Sequence, residues 1–228
     1  MELVQIAVIH TPFREKFGIP RQSGLVPQLT GEIVFLPEYS RPEALRGIET
    51  FSHLWLIWGF SEAKKPEGKG WSATVRPPRL GGNTRMGVFA TRSPYRPNPI
   101  GLTVVRLEQV YAEESPVRLT VSGIDLLDGT PIYDIKPYIP FADAVPDAAG
   151  GYTEQTVTHR LTVIFPEALR RKLPEPMYGT VCALLGQDPR PGYLDDPSRE
   201  YGMQYADYDI RFRTAGDILT VIDIRNLT

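Results

Sequence analysis

Six arginines, Arg76, Arg79, Arg85, Arg92, Arg96 and Arg106, fall within residues 76–107, a stretch that holds no Asp, Glu or Lys. Guanidinium groups are planar forks that grip phosphate and carboxylate oxygens two at a time. Prolines and glycines stand between these arginines. Pro fixes φ near about −65° and Gly opens φ > 0, so the forks are carried on shaped loops and not on free coil. The chemistry this offers is recognition of an anion: phosphate, carboxylate or nucleic-acid backbone. The competing reading is a solvated basic face that serves solubility alone, but such faces use Lys and mix both signs. The formal charge of the whole chain is −2, so the positive excess is local.

A second candidate group is acidic. Asp125 and Asp128 flank Leu126 and Leu127 just ahead of Gly129. Asp-Gly forms turns, which accounts for Asp128 in part. Carboxylates at a strand end can also hold ribose hydroxyls or an ammonium. Asp134 and Lys136 share a face by the two-residue period of a strand and can pair. Metal binding is not expected, because His10, His53, His159 and Cys182 lack ligand spacing. Cys182, in an apolar helical setting, reads as a buried inert thiol. No nucleophile elbow, Walker loop or GxGxxG occurs.

Strands must position these groups. β-Branched or alternating runs predict strands at residues 4–9, 31–36, 51–60, 72–76, 86–90, 101–110, 118–124 and 132–138, with a hairpin between the sixth and seventh. A short helix at 42–49 begins with Pro and nears Gly at its end. Residues 14–27, punctuated by Gly and Pro, form a long loop that Phe13, Phe17 and Leu25 can anchor, which suggests an ordered functional loop. The fold class expected is mainly β: a small barrel-like N-terminal domain at 1–145, a linker at 146–155 and a small α+β C-terminal domain at 156–228. In the latter, a strand at 156–165, helices near 166–173 and 181–188, and strands at 207–213 and 219–224 are predicted. With one cysteine, no internal disulfide can form. No apolar run approaches the roughly 20 residues of a membrane span, and no signal segment opens the chain, so a cytoplasmic protein is expected.

Seven strings occurring in one order make the chain identifiable: Pro20-Arg21-Gln22, Phe51-Ser52-His53-Leu54-Trp55, Arg76-Pro77-Pro78-Arg79-Leu80, Gly87-Val88-Phe89-Ala90-Thr91-Arg92-Ser93-Pro94, Arg96-Pro97-Asn98-Pro99-Ile100-Gly101-Leu102, Gly123-Ile124-Asp125-Leu126-Leu127-Asp128-Gly129-Thr130-Pro131 and Asp134-Ile135-Lys136-Pro137-Tyr138. Together they resemble the TsaA-like family over residues 1–144, and the remainder resembles its bacterial C-terminal extension. The resemblance implies an S-adenosylmethionine-dependent tRNA adenine N6-methyltransferase. Its substrate would be N6-threonylcarbamoyladenosine at position 37, beside the anticodon, and its cofactor would lie on a β-barrel of a homodimer. Carried onto matching positions, cofactor contacts fall on Pro20, Arg21, Gln22, Phe60, Ser61, Arg92, Leu102, Asp125, Leu126, Leu127 and Asp128. Ser61 stands where some relatives are expected to carry His.

The residue chemistry fits that implication. Arg21 or Arg92 can meet the cofactor carboxylate, Asp125 or Asp128 its ribose or ammonium, and the leucines its adenine. Asp125, Asp128 and Asn98 are candidate acceptors for the proton on the reacting nitrogen. Arg76, Arg79, Arg85 and Arg96 would hold anticodon-loop phosphates, and Tyr95 would stack a splayed base. Two alternatives stay open: a non-catalytic RNA-binding barrel, and a methyltransferase acting on a small anionic metabolite. Because every cofactor string precedes the linker, the C-terminal unit is expected to serve tRNA and to be dispensable for cofactor binding.

Overall fold

The computed structural model describes residues 2–61, 71–80, 83–155, 160–190 and 196–228. The charged loop read at 62–70, the Gly81-Gly82 turn, the start of the strand read at 156–165 together with His159, and the Arg79 side chain lie outside the described set.

Eight strands precede the linker: β1 (Ala7–His10), β2 (Thr30–Phe35), β3 (His53–Gly59), β4 (Thr74–Val75), β5 (Met86–Gly87), β6 (Ile100–Tyr111), β7 (Arg118–Ser122) and β8 (Thr130–Pro137). Six of them close a barrel in the order β1-β2-β7-β6-β3-β8, and every pairing is antiparallel. The expectation of seven or eight strands in one barrel is corrected here. β4 and β5 pair only with each other, because two residues apiece cannot contribute a stave. Alternation drives closure: Ile9, Ile33, Leu54, Leu56, Leu119, Val121 and Ile132 point inward and are fully buried. The 12-residue β6 changes register against β7 between Leu107 and Gln109, a bulge that bends a strand too long for one straight stave. The helix expected at 42–49 is two 3-10 turns, Pro42–Leu45 and Ile48–Thr50, separated by Gly47 at φ 89°.

After the short α1 (Pro140–Asp143) comes an α+β unit of β9 (Thr162–Ile164), α2 (Glu167–Arg170), α3 (Glu175–Gly186), β10 (Tyr201–Tyr205), β11 (Tyr208–Ala215) and β12 (Ile218–Asn226). Its sheet runs β10-β11-β12-β9, with β9 parallel to β12. Strand β10 is absent from the sequence reading: Tyr201, Met203 and Tyr205 do alternate with Gly202 and Gln204, but the run is only five residues long and a Gly inside it weakens the strand signal. The two units share one continuous buried cluster, and residues 11–27 lie between them.

Candidate cofactor and nucleic-acid site

A buried polar relay forms one end of the site. On β6 the outward Leu102 alternates with the inward Thr103, which is 2% exposed. A buried hydroxyl needs partners, and Thr103 has two. Trp58 Nε1 on β3 donates to its Oγ1 at 3.0 Å, and that hydroxyl donates to Asp125 Oδ1 at 3.0 Å. The indole reaches its place because Gly101 has no side chain: a Cβ there would stand 2.1 Å from Trp58 Cε2. Phe60 packs against Trp58 with ring centroids 4.3 Å apart. Burial pushes the Asp125 carboxyl up to about 6. Hydrogen bonds from Thr103 and from the Asp125 and Ser23 backbone, with the Arg92 charge, offset only part of that rise.

Residues 11–27 form a strap across this relay. Gly24 N donates to Gly123 O at 2.9 Å, and the exposed Arg92 donates through Nη1 to Gln22 Oε1. Gln22, Ser23, Arg92, Thr103, Asp125, Trp58 and Phe60 therefore converge, although they come from five separate parts of the sequence. The far side of the strap is held by the C-terminal unit. Phe13, fully buried, meets Tyr205 edge-on at 5.6 Å, and Phe17 stacks on both Tyr201 and Phe212 at 6.4 Å. Gly18, at φ 93°, lies so close to Met203 that a Cβ would stand 2.5 Å from its Cγ. Arg21 Nη2 donates to the carbonyls of Asp188 at 3.4 Å and Arg190 at 2.9 Å. Those two residues are themselves locked by a buried bidentate pair, Arg190 Nε and Nη2 to Asp188 Oδ1 and Oδ2 at 2.8 and 3.0 Å, and Arg190 Nη1 also donates to Thr214. A cavity of about 370 Å³ lies on this seam between Lys16–Arg21 and the end of α3.

Other predicted residues fall elsewhere. Pro20 is buried in the strap, Leu126 in the core and Leu127 is half-buried, while Ser61 is exposed. Leu102 is 54% exposed on the outer face of the barrel, across the strand from Thr103. Asp128 accepts from Thr11 N at 3.0 Å and meets His10 Nδ1 at 3.2 Å, so it ties the end of β1 to the turn before β8. Asn98 is exposed, and its carbonyl accepts from Ile100 N. Arg76 and Arg85 are exposed on the β4–β5 lobe, with Arg85 Nη1 donating to Thr74 at 3.0 Å. Arg96 instead turns inward and donates to the Val88 and Thr91 carbonyls at 3.2 and 2.9 Å, so it braces the lobe. Tyr95 is 54% exposed. Asp134 and Lys136 pair at 2.9 Å, as their shared face allows. Cys182 is half-buried on α3, and burial raises its thiol pKa. Among the described residues no cluster of three or more His, Cys, Asp or Glu could hold a metal, and no helix is long and apolar enough to cross a membrane.

Trp58, Thr103, Ser23, Asp188 and Arg190 were not picked out by the sequence reading. Thr103 sits mid-strand, one step along from Leu102, and only the inward phase of β6 singles it out. Nothing local marks Asp188 and Arg190, whose partner lies 167 to 169 positions away.

The fold and relay define a class: a closed-barrel protein with an appended α+β sheet, its carboxylate, amide and guanidinium gathered under a strap at the barrel end. Within that class, the sequence profile of the tRNA-methyltransferase O N-terminal domain matches residues 8–144, and that of the TrmO C-terminal domain matches 158–227. The chain belongs to the tRNA-methyltransferase O family. It is 44% identical over 217 residues to the Escherichia coli K12 tRNA (adenine(37)-N6)-methyltransferase, covering 92% of this chain and 91% of that one. An Eikenella corrodens protein of the same name is 47% identical over 164 residues, 72% of this chain and 91% of that one. The crystal structure of TrmO from Pseudomonas aeruginosa superposes with a TM-score of 0.81 at 37% identity, covering 99% of this chain and 97% of that chain.

Proposed function

We propose that this chain is an S-adenosylmethionine-dependent tRNA methyltransferase acting on N6 of N6-threonylcarbamoyladenosine at position 37. The observation that carries the reading is the convergence of Gln22, Arg92 and Asp125 on the Trp58–Thr103 relay. These groups fit the cofactor: a guanidinium and an amide suit its carboxylate, a half-buried carboxylate suits its cationic end or ribose, and Phe60 beside Trp58 offers an aromatic wall. When bound, S-adenosylmethionine supplies an electrophilic methyl group. Arg92 and Gln22 orient it, and the strap excludes water. Asp125, held through Thr103, accepts the proton that leaves N6. Its raised pKa suits proton transfer near neutrality, while Asp128 and Asn98 serve the backbone. Arg76 and Arg85 meet phosphates of the anticodon loop, and the C-terminal sheet lends a further tRNA contact. A tRNA substrate sets this work in the cytoplasm.

The assembly we propose is a homodimer. Leu102 and Ile100 present an apolar outer face of β6 that a second copy would cover, bringing the outer and inner contacts of the strand into one shared site.

The test is nucleoside mass spectrometry of tRNA incubated with the pure protein and methyl-labelled cofactor. Label is expected on N6-threonylcarbamoyladenosine at position 37 and absent from tRNA lacking the threonylcarbamoyl group. Label appearing only in small metabolites, or RNA binding with no cofactor binding by calorimetry, overturns the proposal.

A further inference from the structure

Phe89 and Trp71 are an anomaly on this surface. Their side chains are 74% and 49% exposed, and their rings lie 5.7 Å apart with planes tilted by 37°. Exposed apolar groups scattered singly need no account, but an adjacent Trp–Phe pair does. Slack backbone is not the cause. Phe89 stands on the 3-10 turn Val88–Ala90, whose Val88 is buried and donates its N–H to Ala73 O at 2.9 Å. Arg96 pins the same turn through the Val88 and Thr91 carbonyls, and Thr91 N closes it onto Val88 O at 3.2 Å. The turn thus presents the Phe89 ring rigidly to solvent.

The surroundings state what would lie there. Arg76 and Arg85 are exposed on the same lobe, and no carboxylate occurs between residues 76 and 107. An aromatic pair in a guanidinium frame without acids matches a single-stranded nucleic acid, with bases on the rings and phosphates on the arginines. A protein partner or second copy would be met by apolar or acidic complements, and residues 71–107 carry no acidic group to offer in return. Arg92 lies three residues beyond Phe89. An extended chain spans at most about 3.6 Å per residue, so the two Cα atoms lie within roughly 11 Å. That is the scale of neighbouring nucleotides in a splayed loop.

We infer that Trp71 and Phe89 form a stacking platform for an unpaired RNA base flanking the adenosine that enters the cofactor site. The inference rests on the RNA-substrate reading above. It adds the residues that grip the loop through bases and not through phosphates.

The experiment is fluorescence anisotropy of a labelled anticodon stem-loop RNA with the full chain carrying Phe89→Ala, Trp71→Ala, Phe89→Tyr or Arg85→Ala, across a salt series. S-adenosylmethionine binding is measured in parallel by calorimetry as a check of folding. Base–aromatic stacking of about 1–3 kcal/mol predicts that each Ala variant loses about 5- to 150-fold in RNA affinity. Phe89→Tyr, which keeps the π face, stays within about threefold. The aromatic variants keep the wild-type salt slope, whereas Arg85→Ala lowers it by about 0.7. Cofactor affinity is expected to stay unchanged in all four variants. Ala variants that bind RNA within twofold of wild type overturn the platform, as does a changed oligomeric state as their only effect. Failure of the wild type to bind the RNA sinks the substrate reading, and the platform with it.

Discussion

Asp125 is the proposed proton acceptor, and its environment can be checked by titration. Its ordinary pKa is 3.8, and burial raises it to about 6 in the fold. Between those values the folded chain binds a proton that the unfolded chain releases. The associated stability is fully present below about pH 4 and is lost as pH rises through 6. Asp125→Asn removes the cost of burying the ionised carboxylate, so above pH 7 it should be more stable than wild type by on the order of 2 kcal/mol in denaturant titrations, with the gap closing near pH 4. The same variant should lose methyl transfer by at least about 100-fold, as expected for a positioned proton acceptor. The wild-type kcat/KM should climb with pH through about 6. A flat pH profile would remove Asp125 as the acceptor. The carboxylate was legible in the sequence as part of an unusual string. Its support was not, because Thr103 and Trp58 are ordinary strand residues until the barrel brings β3 and β6 together.

The strap of residues 11–27 carries the main lesson about elements. Gly and Pro punctuation with interspersed phenylalanines suggests an ordered functional loop at 14–27, and the structure orders that segment. The surface it packs on could not be read, because Phe17 meets Tyr201 and Phe212 from a strand pair nearly two hundred residues away. The sequence-based expectation is that the C-terminal unit is dispensable for cofactor binding; these contacts make the reverse the outcome to test. A chain ending before residue 156 uncovers Phe13 and Phe17 and frees Arg21 from the Asp188 and Arg190 carbonyls, so calorimetry should show cofactor affinity falling at least tenfold. A gentler version is Phe13→Ala in the full chain, expected to cost about 3–5 kcal/mol of stability because the ring is fully enclosed. Intact cofactor binding by the shortened chain would show that the strap holds its shape unaided. Most strands were legible from alternation, β4 and β5 among them as the runs at 72–76 and 86–90, although not that they pair only with each other. β10 was the one missed, a five-residue run with a Gly inside it.

At the scale of the molecule, two surface features stand out. The net charge of −2 conceals an arginine lobe at the barrel end, while the outer face of β6 shows Ile100 and Leu102 to solvent. A charge placed on that face, Leu102→Glu, should convert the proposed dimer to monomer in sedimentation velocity and lower activity, while the melting temperature moves little because the side chain is already exposed. A wild-type chain that sediments as a monomer at micromolar concentration would refute the arrangement. The shared buried cluster has a further outcome for how such chains can be rebuilt. A barrel and a sheet joined by a linker invite cut-and-paste recombination, yet here the seam runs along the strap that carries Gln22 and Ser23. A chimera that exchanges the sheet alone inherits a mismatched cradle. One that carries residues 11–27 along with the sheet keeps the strap and the surface it packs on as a set.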